Sequence, residues 1–181
     1  ADASPTIGIG LLDWPSARLK AFILEEIVSR YTQFDAATLP ASNAAIFRRM
    51  NDGSGGIDVH PEFWVDNNPV LVRRYVQAFE TVALGRLDVV GQQGLCEAGP
   101  RGTAGPPPVD GLARAPGERY DFSGDGRGDI WIGAEGWGST EIEARRLAAY
   151  GLDEAFEFHV FDDKLMRRIV RRRIADGQST L

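Results

Sequence analysis

Apolar positions along the chain switch between the period of a strand and that of a helix, and the switches alternate. "TIGIGLLDW" (6–14) is an apolar run that ends at an aromatic. Pro15 suits the first turn of a helix, and Leu19, Phe22, Ile23, Ile27 and Tyr31 continue at helical spacing. A short strand follows at 36–41. Ser42 can then cap a second helix carrying Ala45, Ile46 and Met50, which "NDGSGG" breaks. "GIDVHPEFW" (56–64) reads as a third strand. A third helix covers 69–84 with Val72, Tyr75, Val76 and Phe79 inward, and "RLDVVGQQGL" (86–95) reads as a fourth strand.

Residues 97–118 change character: glycine, proline and alanine dominate and little remains to bury, the composition of a linker or crossover. Beyond it come a strand (129–134), a helix (140–150), a strand (155–161) and a helix (162–176). Thr140 with Glu143 forms a capping box for the first of these helices, and Asp162 caps the second. Strands alternating with helices predict an α/β fold with mainly parallel sheets, its function at the carboxyl ends of the strands. Three segments result: a first α/β lobe (1–96), a crossover (97–118) and a partial second α/β lobe (119–181).

Composition narrows the function. With 43% hydrophobic residues, 181 residues can bury a core. A net charge of -6 argues against a nucleic-acid partner, which needs a clustered basic surface. In the basic run "RRIVRRR" (167–173), the neighbouring Leu165, Ile169, Val170 and Ile174 fall at helical spacing, so the arginines read as a solvated helix face. The lone Cys96 excludes an intramolecular disulfide. No apolar run reaches the length of a membrane span. The opening "ADASP" resembles a mature end left after signal cleavage.

Two stretches carry candidate chemistry. In "YDFSGDGRGDI", Asp121, Ser123, Asp125, the Arg127 carbonyl and Asp129 stand at positions 1, 3, 5, 7 and 9, with Gly126 at position 6. This is the oxygen spacing of a calcium loop, although Ile132 holds position 12, where a bidentate glutamate belongs. A metal-free loop of Asx turns accounts for the same residues, and both readings stand at this point.

In "GWGST", Gly138 and Ser139 open a helix whose free N–H groups suit an anion such as a carboxylate. Trp137 beside them offers a face to a cation. Trp14 and Trp64 also fall at the carboxyl ends of predicted strands, whereas Trp131 lies inside one and reads as core. Aromatic faces are the means of holding a quaternary ammonium, which donates no hydrogen bond. His60 and Glu62 lack a third ligand nearby for zinc. No nucleophile–base motif and no phosphate-binding loop is present, so enzymatic chemistry is not expected.

"IGLLDWPSAR", "NAAIFRRMNDGSGGIDVHPEFWVDNN", "GQQGLC" and "YDFSGDGRGDIWIGAEGWGSTEIEARRLAAYGL" resemble the solute-binding receptors of ABC importers for glycine betaine, proline betaine and choline. The resemblance covers nearly all of the chain except 97–118. It implies a two-lobed periplasmic-binding-protein-like (type II) fold closing over its ligand, a location outside the cytoplasm, and an ABC permease and ATPase as partners. Carried over by motif, Trp64 and Trp137 resemble cage residues, with Trp14 a third or a residue of the cleft edge. Gly138 and Ser139 resemble carboxylate-binding amides, and Asn68 a polar partner of the carboxylate. No cofactor is implied beyond the candidate structural Ca2+.

Two departures accompany the resemblance. The 97–118 segment is not the continuation expected after "GQQGLC". The family is also longer, so the second lobe is incomplete here. That predicts a longer polypeptide, a second chain covering the exposed surface, or disorder after 162–176. A ligand-sensing module without transport is the alternative function.

Overall fold

The computed structural model describes residues 5–53, 55–78, 81–87, 89–102, 105, 107–114 and 117–181. The chain divides into two compact units, Ala1–Arg86 and Leu87–Leu181.

In the first unit, β1 (Thr6–Leu11) pairs in parallel with β2 (Asp35–Pro40), Thr6 opposite Asp35 and Leu11 opposite Pro40. α1 (Pro15–Tyr31) makes the crossover between them and starts at Pro15 as expected. α2 (Asn43–Asp52) is capped by Ser42, whose Oγ accepts from Ala45 N, and ends at Gly53 in the left-handed conformation.

The expected third strand shrinks to a bridge between Ile9 and Val59. Gly10 N donates to Val59 O, while Asp58 N and Val59 N donate to Gly8 O. Pro61 follows two residues later and cannot extend the ladder, since it has no N–H. The approach at β1 is close: a Cβ at Gly8 would lie well inside the Gly56 carbonyl, so only glycine fits there.

The helix expected over 69–84 is shorter. α3 (Pro69–Leu71) widens into a π-type turn over Val72–Gln77. Tyr75 is buried, Val72 and Val76 are half-buried, and Phe79 lies outside the described residues.

α1 packs differently from what its apolar spacing suggests. Ala17 and Ala21 are buried, because small residues let the helix lie close to the sheet. The larger stripe of Leu19, Phe22, Ile23, Ile27 and Tyr31 faces outward, with Leu19 61% and Tyr31 74% exposed. The core gathers Leu12, Ala17, Ile46 and Ile57, and Trp14, Leu39, Ala41 and Met50 pack against it.

In the second unit no strand forms over the described residues of 86–95. Val89 N donates to Leu87 O, and Val90 is exposed. An apolar run becomes a strand only with a ladder partner, and among the described residues none pairs with it. The glycine- and proline-rich 97–118 segment lies within this unit. Its short α4 (Val109–Leu112) places Leu112 in the core, and Ala98 bridges Thr180.

β3 (Gly128–Gly133) and β4 (Phe156–Val160) pair in parallel, with a bulge between Trp131 and Gly133. α5 (Gly138–Ala149) lies between them in sequence, and α6 (Asp163–Ala175) follows, capped by Asp162 Oδ1 accepting from Leu165 N.

The expected capping box is replaced. α5 starts two residues earlier than its sequence signature, with Trp137 as N-cap. Thr140 Oγ1 instead donates to Ala134 O at 2.8 Å, and Glu143 pairs with Arg146 and Gln93. Gly133, at φ 130°, makes the turn out of β3 that brings the helix start forward. The core of this unit includes Tyr120, Ile130, Ile132, Leu147, Leu152, Phe156 and Leu181.

The basic face of α6 is largely solvated, with one exception. Arg173 turns inward and donates to Asp121 O at 2.6 Å, Arg119 O at 3.1 Å and Ser179 O at 2.9 Å.

Candidate functional site

The expected binding residues fall in both units. In the first, the chain leaving β1 reaches Trp14 just ahead of α1, and the chain leaving the Val59 bridge reaches Glu62 and Trp64. Both tryptophans meet one carboxylate. Glu62 Oε1 accepts Trp14 Nε1 at 2.9 Å, Trp64 Nε1 at 2.8 Å and Ser16 Oγ at 2.9 Å; Oε2 accepts Lys20 Nζ at 2.6 Å.

Glu62 is only 3% exposed, whereas Trp64 is 39% exposed. The carboxylate is therefore a buried anchor, and the indole is the surface it holds. Burial alone would raise the Glu62 pKa. The hydrogen bonds from Lys20, Trp14, Trp64 and Ser16 outweigh it and hold the carboxyl below its ordinary value. Asn68 stands close by, its Nδ2 donating to Trp64 O at 2.9 Å.

His60 does not join Glu62. Its ring packs against Phe47 and Phe63, and Nε2 meets Asn43 Oδ1 at 3.0 Å. Nδ1 is buried with no hydrogen-bond partner among the described residues. Burial lowers the His60 pKa to about 4, against a smaller opposing pull from Glu62.

In the second unit, Trp137 stands after β3 at the start of α5, and Gly138 and Ser139 supply the first N–H groups of that helix. Trp131, expected to be core, is half-buried. It meets Trp137 edge to face at 5.8 Å between ring centres, stacks on Phe161 at 6.5 Å and donates Nε1–H to Phe161 O at 2.8 Å. A bulge in β3 falls between Trp131 and Gly133. Sequence reading missed Phe161 and the outward part of Trp131; the Phe161 signal was its position directly after β4.

The acidic loop closes on itself. Asp121 Oδ1 accepts Gly124 N at 2.5 Å and Oδ2 accepts Gly126 N at 2.9 Å. These backbone hydrogen bonds lower the pKa of Asp121. Ser123 Oγ donates to Asp121 Oδ1, and Asp125 Oδ1 accepts Arg127 N. The Arg127 side chain donates to Asp153 O and Phe156 O.

Asp129 is fully buried. Its Oδ2 takes Phe122 N at 2.5 Å and Ser123 N at 2.8 Å, and its Oδ1 meets His159 Nε2 at 2.5 Å. Among the described residues, the ligand-type side chains that converge are Asp129, Glu157 and His159, not the set Asp121, Asp125 and Asp129. The loop carboxylates thus point at backbone N–H groups rather than at a common centre.

Each unit carries a parallel strand pair with a tryptophan beyond the carboxyl end of its first strand, the layout of an α/β protein whose ligands bind at strand ends. The chain belongs to the family of substrate-binding domains of ABC-type glycine betaine transport systems (OpuAC), whose model matches residues 5–181. Among solved structures it is similar to the glycine/betaine/L-proline-binding protein (ProX) of Borrelia burgdorferi. The TM-score is 0.71 and the identity 15%, over 97% of this chain and 61% of that one. It is also similar to lactococcal OpuAC in its closed-liganded conformation with glycine betaine, with a TM-score of 0.64 and 14% identity over 98% of this chain and 63% of that one. The chain thus spans about three-fifths of the length of both structures. No curated protein matches it. Both likenesses agree with the expected α/β fold.

Proposed function

We propose that the chain is the ligand-capturing part of an importer receptor for glycine betaine or a related quaternary ammonium compound. In the first unit, Trp14 and Trp64 serve the methylated cation and Asn68 the carboxylate; in the second unit, Trp137 serves a cation and the N–H groups of Gly138 and Ser139 a carboxylate. The observation that carries this reading is the pairing of Trp14 and Trp64 on one buried carboxylate, in a chain of a betaine-binding family. Two indoles anchored on one carboxylate offer π faces, and a cation that cannot donate a hydrogen bond is held by such faces.

The partners of this reading are an ABC permease and ATPase, and its place of action is outside the cytoplasm. Among the described residues no helix is long and apolar enough to cross a membrane.

Calorimetry against glycine betaine, proline betaine, choline, carnitine and proline tests it. Saturable binding of methylated cations is expected. A chain that binds none of the panel is not a receptor of this kind.

A further inference from the structure

We infer that Glu62, set by Lys20, is the positioning residue that fixes Trp14 and Trp64 as one rigid platform for the cation. The inference rests on the betaine-binding reading. A tryptophan side chain rotates about two bonds, and a π face serves a cation only when its plane is fixed. Here both indole N–H groups donate to the same atom, Oε1, so neither ring can turn without breaking a bond to a buried charge.

Ser16 Oγ adds a third donor to that oxygen, and the Lys20 ammonium takes Oε2. Trp14, Ser16 and Lys20 lie in or beside the first turns of α1, and Glu62 lies 42 to 48 residues further on. The hub thereby ties the start of α1 to the segment that bears Trp64.

Three variants of the full chain test this: Glu62→Ala, Glu62→Gln and Glu62→Gln combined with Lys20→Met. Glutamine keeps a carbonyl oxygen for the indoles but turns its NH2 toward Lys20 Nζ, donor against donor; removing the ammonium relieves that conflict. Two measurements are made on each variant: the indole N–H resonances by NMR, assigned by single Trp→Phe substitutions, and glycine betaine affinity.

In Glu62→Ala the Trp14 and Trp64 resonances should move while those of Trp131 and Trp137 stay. Affinity should fall about tenfold or more, the worth of one to two cation–π faces. Glu62→Gln should also weaken binding, and the double variant should recover to within about threefold of the parent, because its acceptor is restored. Folded Glu62→Ala protein with affinity within twofold of the parent, unmoved Trp14 and Trp64 resonances, or a double variant no better than Glu62→Gln, each overturns the inference. A parent chain that binds no quaternary ammonium compound overturns the functional reading instead; the four indole resonances then still decide whether Glu62 holds both rings.

Discussion

His159 Nε2 meets Asp129 Oδ1 at 2.5 Å across the β3–β4 pair, and the other oxygen of the same fully buried carboxylate holds the backbone of Phe122 and Ser123. One side chain thus joins the sheet to the acidic loop. Asp129→Ala strands two backbone donors and the histidine, and should cost about 2–4 kcal/mol. Urea unfolding measures this. A loss below about 0.5 kcal/mol, the range of an ordinary surface change, would show that the pairing is incidental.

The loop's shape comes from its own N–H groups. Melting midpoints in calcium and in chelator should therefore coincide for the parent chain. A calcium-dependent rise that Asp125→Ala abolishes would instead show the carboxylates turning inward to an ion.

Trp137→Ala and Trp64→Ala should each lower betaine affinity about 2- to 30-fold, the worth of one cation–π face. Titration calorimetry on folded variants decides this. Unchanged affinity in Trp137→Ala removes that residue from the cage.

Acid should weaken the first unit in two stages. His60 has its folded pKa lowered to about 4, from 6.5. Between those values the unfolded chain takes up a proton that the folded chain refuses, so stability is full above pH 6.5 and falls down to about pH 4. The loss is at most about 3 kcal/mol. Glu62, also lowered, contributes stability that is present above its ordinary value of 4.5 and lost as pH drops through its folded value. Denaturant midpoints from pH 7 to 4 should slope downward, and His60→Gln should flatten the upper stage. An unchanged slope in that variant refutes the assignment.

Gly8→Ala should be among the most damaging single changes, costing about 3 kcal/mol, because the added methyl meets backbone rather than a movable side chain. Phe22→Ser on the outward stripe of α1 should stay within about 0.5 kcal/mol. Thermal melts of the two variants set them side by side.

Local signals carried much of the fold into view from sequence. Pro15, Ser42 and Asp162 mark helix starts through chemistry that acts within a few residues, and all three stand where expected. The errors arose where the deciding partner is distant. "RLDVVGQQGL" has strand composition but no ladder partner among the described residues, and "GIDVHPEFW" is cut short by Pro61. Spacing in α1 showed an apolar stripe without telling that Ala17 and Ala21 would take the buried side.

At the candidate site, the alternation of strand and helix periods placed Trp14, Trp64 and Trp137 after predicted strands, and the resemblance supplied the role expected of them. The role of Glu62 was not, since three of its four donors lie more than 40 residues away. Beside His60 it suggests a metal ligand, and only the fold shows it as an anchor.

The inward turn of Arg173 sets an order of events during synthesis. Its guanidinium gathers carbonyls from Arg119, Asp121 and Ser179, so the stretch around residue 120 leaves the ribosome long before its brace exists. Until residue 179 has been made, that stretch is a tether open to proteases and chaperones. Nascent chains stalled at residue 172 should be clipped near Asp121, and the released chain of residues 1–181 should resist. The acidic loop is therefore closed on one side by a residue 52 positions further along the chain.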